Sequence, residues 1–212
     1  NYKGEYPKLE ITAKDLGRMY PLASKLAKED PVRMEEVRRI TAEIDKGNKV
    51  YTDLWKQMVE VSKVEIKKVY NELNCHFDLF EGELDSFKDI PATTEIMKPY
   101  LYESEGALVI DVAKEDDKKE MPPLLYIKTD GATIYATRDL ATIYSRVKRF
   151  DPNEIIYVVD DRQGLYFEQV FRAAYKTGLV KNAKLEHVGF GTINGIDGKP
   201  YKTRDGGVME LS

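Results

Sequence analysis

Between Ala107 and Phe190, short branched apolar runs alternate with longer stretches of helical periodicity, and no other feature of the chain limits its fold as much. The run Ala107-Leu108-Val109-Ile110-Asp111-Val112 reads as a strand, and so do residues 124–128, 154–159 and 185–190. Helices are expected over 137–149 and 163–176, the second ending at Gly178. Strands separated by helices of that length predict βαβ units and a parallel sheet, because a parallel pair needs a long crossover connection. The expected fold class is therefore α/β.

The first third of the chain carries only the helical period. Thr12 with Asp15 has the form of an N-cap and its N3 acid, and Leu16, Met19, Tyr20, Ala23 and Leu26 follow as an apolar stripe. Asp30-Pro31 opens a second helix with Met34, Val37, Ile40 and Ile44 on one face. Gly47-Asn48 ends it, and a long third helix aligns Tyr51, Leu54, Trp55, Met58, Val59, Ile66, Val69, Tyr70 and Leu73. Residues 1–75 thus form an expected helical lobe, with residues 76–212 as the α/β part. Within the latter, 76–90 reads as an extended piece and a loop, and 91–101 as a short helix. The charge run from Lys114 to Glu120, closed by Pro122-Pro123, reads as a solvated hairpin or loop.

Composition narrows the function classes. Lys+Arg 33 against Asp+Glu 37 leaves a net charge of -4, without the basic excess of a dedicated nucleic-acid binder. A single cysteine, Cys75, excludes an internal disulfide and a cysteine-built zinc site. No apolar run reaches the length needed to cross a bilayer, so no membrane partner is expected and a cytoplasmic location is. Asn1-Tyr2-Lys3 at one end and Leu211-Ser212 just after a Gly-rich loop at the other have the character of cuts within a longer protein.

In open parallel sheets, ligands sit beyond the carboxyl ends of the strands, and three loops there hold polar side chains. In Thr133-Ile134-Tyr135-Ala136-Thr137-Arg138-Asp139, Thr137 could cap the helix, leaving Tyr135 before it and Asp139 in its first turn. The ordinary alternative is that Asp139 merely complements the helix dipole. In Val158-Val159-Asp160-Asp161-Arg162-Gln163, two adjacent carboxylates suit a cation, a ribose or a metal, or else a turn in which Asp161 caps the next helix. The third stretch runs from Gly189 to Gly207. Its glycine spacing fails as a dinucleotide fingerprint, a hairpin is expected at Asp197-Gly198, and Lys202, Thr203 and Arg204 lie among glycines. Cations on such a loop suit a triphosphate, whereas a plain solvated hairpin would explain the same residues.

In this order and spacing, these segments resemble the arginyl-tRNA synthetase family of class I synthetases. The resemblance rests on Asp130-Gly131 through Ala141, Tyr157-Val158-Val159 with Gln163 and Phe167, His187-Val188-Gly189-Phe190-Gly191, and Lys202-Thr203-Arg204-Asp205-Gly206. Upstream, Leu54-Trp55-Lys56, Phe77-Asp78 and Gly82-Glu83 also look like that family.

The resemblance implies a Rossmann-like nucleotide-binding fold with a helical insertion lobe, and ATP-dependent activation of arginine followed by transfer to tRNA. It implies that Tyr135, Asp139 and Gln163 surround arginine, that His187, Gly189, Phe190 and Lys202 bind ATP, and that Lys202, Thr203 and Arg204 are catalytic. Magnesium accompanies the ATP in that scheme, although no metal-ligating set is visible in the sequence. Residues Pro200 to Arg204 match the Lys-Met-Ser-Lys-Ser loop of the class, with Pro200 where the first Lys would stand, so Lys202 is the expected phosphate cation and Lys199 the next. A second departure is Tyr166, where many relatives would carry His. No His-x-Gly-His element occurs, and that element and the downstream anticodon-binding helical domain are expected in the remainder of a longer enzyme. The isolated piece is accordingly expected to be inactive. Two other readings share these features: another class I-like adenylyl transferase acting on a small acid, and a non-enzymatic paralogue serving as a binding module.

Overall fold

The computed structural model describes residues 10–192 together with Asn194 and Gly198. Its described residues divide into two compact units, one of residues 10–78 with Asn194 and Gly198, the other Leu79–Thr192.

The first unit holds three helices, α1 (Ala13–Glu29), α2 (Pro31–Asp45) and α3 (Lys49–Glu72). Their starts follow the local chemistry. Thr12 accepts from the Asp15 amide at 3.2 Å while Asp15 Oδ2 accepts from the Thr12 amide at 3.0 Å, a reciprocal cap that satisfies two otherwise orphaned donors. Asp30 caps Val32 with Pro31 at the first helical position, and Asn48 caps Val50. Burial is slight. The expected α1 stripe is not a buried face: Met19, Tyr20, Ala23 and Leu26 are exposed, and Ala27 is the one buried residue. Val37 of α2 and Ile66 and Leu73 of α3 are likewise exposed.

The second unit carries the core. It contains α4 (Ile90–Met97), β1 (Leu101–Ser104), β2 (Ala107–Ile110), β3 (Leu124–Ile127), α5 (Tyr135–Phe150), β4 (Glu154–Asp160), α6 (Gly164–Lys176) and β5 (Lys184–Phe190). Two expectations are corrected here. Residues 76–90 are not all loop, because Glu83–Asp89 forms a 3₁₀ segment opened by Gly82 and Asp85. Nor do all the strands join one parallel sheet. β1, β2 and β3 make a three-stranded antiparallel sheet, and only β4 and β5 pair in parallel, from Glu154 opposite Lys184 to Asp160 opposite Phe190.

The connections explain the difference. Glu105 (φ 51°) and Gly106 (φ 78°) make a two-residue turn with both central residues left-handed, which joins β1 to β2 as a hairpin. No helix lies between β2 and β3, only the charged loop, so that pair also returns antiparallel. A helical crossover is present between β4 and β5, and α6 supplies it.

Met97, Ile110, Tyr126, Leu140, Ile143 and Val170, all fully buried, centre one continuous apolar cluster. Tyr126 is buried whole because its hydroxyl meets Thr94 Oγ1 at 2.9 Å. The charged loop is pinned rather than free: Arg172 grips Asp117 with two bonds of 2.7 and 2.6 Å and also bonds Glu168 and the Val112 carbonyl.

Candidate active site

The site begins with the way α5 is anchored. Helix formation starts at Tyr135 rather than at residue 137, so Thr137 is the third helical residue and not the expected cap. From there it does two jobs. Its hydroxyl accepts from the Ile134 amide at 3.2 Å and donates to the Tyr126 carbonyl of β3, fully buried. The first turn of α5 is thereby fastened to the antiparallel sheet.

This anchoring presents Tyr135, 67% exposed, at the helix start, with Asp139 one turn further on the same face. Asp139 therefore stands in the second turn and not the first, which weakens the helix-dipole explanation of its presence, since that effect fades beyond the first turn.

Tyr135 and Asp139 line one cavity of about 310 Å³. The remaining wall comes from Glu81, Gly82, Glu83, Asp85 and Ser86, from Thr142, Ser145, Arg146 and Arg149 along α5, and from Tyr157 of β4. The four carboxylates differ in how they are satisfied. Glu81 pairs with Arg149 at 2.8 Å, and Glu83 pairs with Arg138 at 2.8 Å, whose guanidinium also lies 5.0 Å from the Phe87 ring centroid. Asp85 accepts from the Gly82 amide at 2.6 Å. Asp139 has no cation within ion-pair distance among the described residues; its partner is the Tyr166 hydroxyl, which donates to Oδ2.

The electrostatics follow from that placement. Burial raises the Asp139 pKa above the ordinary carboxylate value and Glu83 adds to the rise, while the Tyr166 hydrogen bond and the nearby Arg146 oppose it. Tyr166 is itself pushed up by burial and by the Asp139 charge, so its hydroxyl stays a donor. Burial also pushes Tyr157 up to about 12; its ring carries the Arg146 guanidinium at 5.3 Å.

The other expected site residues lie elsewhere. Gln163 is exposed at the cap position of α6 and does not line the cavity. His187 on β5 stacks on Phe167, with centroids 5.4 Å apart and planes at 18°, and its Nε2 is buried without a hydrogen-bond partner among the described residues. Gly189 is needed for close approach: a Cβ there would fall 1.8 Å from Asp161 Oδ1. Phe190, at the end of β5, is 52% exposed.

The paired carboxylates of the β4 loop divide their roles in an order opposite to the expected one. Asp160, not Asp161, caps the turn, accepting from the Arg162 amide at 2.8 Å and gripping its guanidinium at 2.9 and 2.8 Å. No cluster of three or more His, Cys, Asp or Glu suited to a metal occurs among the described residues. Lys199, Lys202, Thr203 and Arg204 lie outside the described residues, as does the expected hairpin at Asp197, of which only Gly198 is described.

Comparison with known proteins decides the family. The family described as tRNA synthetases class I (R), catalytic domain, matches residues 1–212. This chain belongs to it. Arginine–tRNA ligase of Alkaliphilus oremlandii is 50% identical over the whole chain, and that of Agathobacter rectalis 46%, the chain spanning 37% and 36% of their lengths. The chain thus spans about a third of the curated relatives it matches. Crystallographic arginyl-tRNA synthetase from Plasmodium falciparum superposes with a TM-score of 0.65 at 28% identity, covering 76% of this chain and 28% of that one. The Thermus thermophilus arginyl-tRNA synthetase shares the fold alone, with a TM-score of 0.56 at 17% identity over 79% of this chain and 34% of that one. As a class I synthetase catalytic-domain member, the chain is α/β, with its βαβ unit at β4, α6 and β5.

Tyr135 and Asp139 are paired by the family resemblance rather than by helical spacing, since the sequence places Tyr135 before the helix; in the structure both lie on α5, four residues apart. Arg146 lies seven residues beyond Asp139 on α5, but Glu81, Glu83, Tyr157 and the Asp139 partner Tyr166 come from three further stretches, and no local spacing links them to it.

Proposed function

We propose that the protein activates arginine with ATP and transfers it to tRNA, and that this chain contributes the guanidinium-recognising side of the site. The observation that carries the reading is Asp139, a half-buried carboxylate on a cavity wall whose neighbouring Glu81 and Glu83 already hold cations while it holds none. A guanidinium supplies what is missing: a positive charge and a planar fork of donors. Tyr135 offers an adjacent ring and hydroxyl, and Gln163 is assigned to the same substrate from the cap of α6.

ATP is assigned to the carboxyl end of β5, with His187, Gly189 and Phe190 meeting the nucleotide and Lys202, Thr203 and Arg204 meeting its phosphates. Lys202 is the leading cation and Lys199 the alternative. In the adenylation step the arginine carboxylate attacks the α-phosphorus, the bond to the bridging oxygen breaks, and pyrophosphate leaves. Positioning and charge stabilisation then provide most of the rate. Magnesium can accompany the nucleotide, but no residue of this chain is assigned to it. In domain terms, residues 1–75 form the helical lobe and 76–212 the α/β part with the phosphate loop, in a cytoplasmic protein. Among the described residues no helix is long and apolar enough to cross a membrane.

The test is competition between arginine and citrulline, which keeps the shape and loses the charge. Arginine should bind much more tightly. Equal affinity would support a different adenylyl transferase, and no affinity for arginine or ATP would support a binding module.

A further inference from the structure

Asp139 is not satisfied by its own helix. Its partner reaches it from α6, the crossover helix of the βαβ unit: Tyr166, half-buried, packs edge-on against Phe167 with ring centroids 5.3 Å apart. Phe167 in turn contacts Tyr157, Phe171 and His187, so the Tyr166 ring is held by a packed aromatic cluster. A side chain whose rotamer is fixed by packing delivers its hydroxyl without a fresh entropic cost when substrate arrives. Among the described residues, Asp139 Oδ1 has no hydrogen-bond partner, while Oδ2 takes the tyrosine hydroxyl.

We propose that Tyr166 is a positioning residue for guanidinium recognition, its hydroxyl locking Oδ2 of Asp139 so that Oδ1 is aimed and ready for the substrate cation. This rests on the reading that Asp139 receives the arginine side chain. Tyr166 touches no substrate in this scheme and acts through Asp139.

Two consequences separate it from a merely structural tyrosine. First, a carboxylate tethered at one oxygen loses less freedom on binding, so the hydroxyl should matter for arginine and not for ATP. Second, the hydrogen bond favours the charged carboxylate. The groups facing Asp139 are Tyr166 from α6, Tyr157 from β4, Glu83 from the 3₁₀ segment and Arg146 from its own helix; of these Tyr166 and Arg146 hold its pKa down, against burial and Glu83. Deleting the hydroxyl removes one of the two restraining influences. The pKa of Asp139 then rises further, and arginine binding fails at a higher pH on the acid side.

The experiment titrates the full-length protein with arginine, and separately with ATP, from acid to neutral pH. Its variants are Tyr166→Phe, Tyr166→His, Asp139→Asn and the double variant. Tyr166→Phe should weaken arginine binding ~10-fold, the scale of a lost hydrogen bond to a charged group, move the acid limb to higher pH and leave ATP affinity unchanged. Tyr166→His, whose ring N–H can donate, should restore part of both effects. In the Asp139→Asn background, Tyr166→Phe should add no further loss, because the coupled partner is already neutral.

An unmoved acid limb in Tyr166→Phe, with Asp139→Asn still abolishing arginine binding, overturns the positioning role and leaves the site reading intact. Equal losses of arginine and ATP affinity without a pH shift likewise reduce Tyr166 to packing. Retained arginine affinity in Asp139→Asn overturns the site reading, and the proposal falls with it.

Discussion

A carboxylate kept half-buried without a cation is costly to the empty protein, and Asp139 gives that cost a direction. Its folded-state pKa is raised, chiefly by burial, above the ordinary carboxylate value. The native state therefore binds the proton more tightly than the unfolded chain does, and stability falls as pH rises through the raised pKa. Asp139→Asn should accordingly leave the thermal midpoint at neutral pH unchanged or higher, since Asn can still accept from Tyr166. Arginine affinity should collapse in the same variant, by roughly 3–5 kcal/mol if the pair is desolvated when bound. Calorimetric titration and thermal melts on one preparation check both halves, and a folded variant with near-normal arginine affinity would return Asp139 to a bland surface role. At this scale the local sequence carries only part of what surrounds Asp139. The family resemblance names it together with Tyr135, whereas its distance from cations and its bond to Tyr166, 27 positions away, depend on how α5 and α6 pack.

At the level of elements, the sequence located most helices and strands because caps and periods are local signals. Thr12 and Asp30 cap as expected, and Asn48, expected only to end α2, also caps α3. It did not reveal β1, because Leu101-Tyr102-Glu103-Ser104 is too short to establish a period and becomes a strand only by pairing with β2. Nor did it show which strands run parallel, since that depends on what lies between them. Two predictions belong here. Gly189→Ala should destabilise the β4–β5 end by about 1–3 kcal/mol, because the new methyl would drive into Asp161 and stand 3.2 Å from its Cα. Chemical denaturation measures it, and Asp161→Ala should recover part of the loss; full additivity of the two changes would disprove the clash. The second concerns the charged loop, which a sequence reader takes as solvated until Arg172 is seen to grip it. Arg172, first through hydrogen bonds, and then the Lys114 amide hold Asp117 down to about 2, below its ordinary 3.8. A depressed carboxylate contributes stability that is present above the unfolded pKa and lost as pH falls through the folded one. Melting temperature should thus fall between pH 3.8 and about 2, less steeply in Asp117→Asn than in the parent.

Across the whole molecule, burial is distributed unevenly, and this bears on which parts hold together on their own. Among the described residues, every buried apolar residue apart from Ala27 lies between Met97 and Leu185, in the second unit. The first unit's longest helix, α3, spans 24 residues and buries none of them. Isolated helices are marginal in water, and most helical stability in proteins comes from packing an apolar face. Caps and i,i+3 pairs such as Lys68–Glu65 at 2.7 Å add only tenths of a kcal/mol each, about 0.2–0.5 for a pair on a helix surface. Helices α1 to α3 should therefore open in sub-global steps well below the free energy that opens α5, α6, β4 and β5, which are tied into one aromatic and aliphatic cluster. Native-state hydrogen exchange on the 212-residue chain resolves this amide by amide. The slowest amides should be those of Leu140, Ile143, Val170 and Ala174, all fully buried, and those of α3 should exchange through an opening much less sensitive to denaturant. Adding arginine should slow exchange in α5 around Asp139 first, because stabilisation by a ligand appears where the bound state differs from the open one. Uniform protection across α1 to α6, with one common denaturant dependence, would mean that the chain opens as a single cooperative unit and that the thin burial of the first three helices understates what holds them.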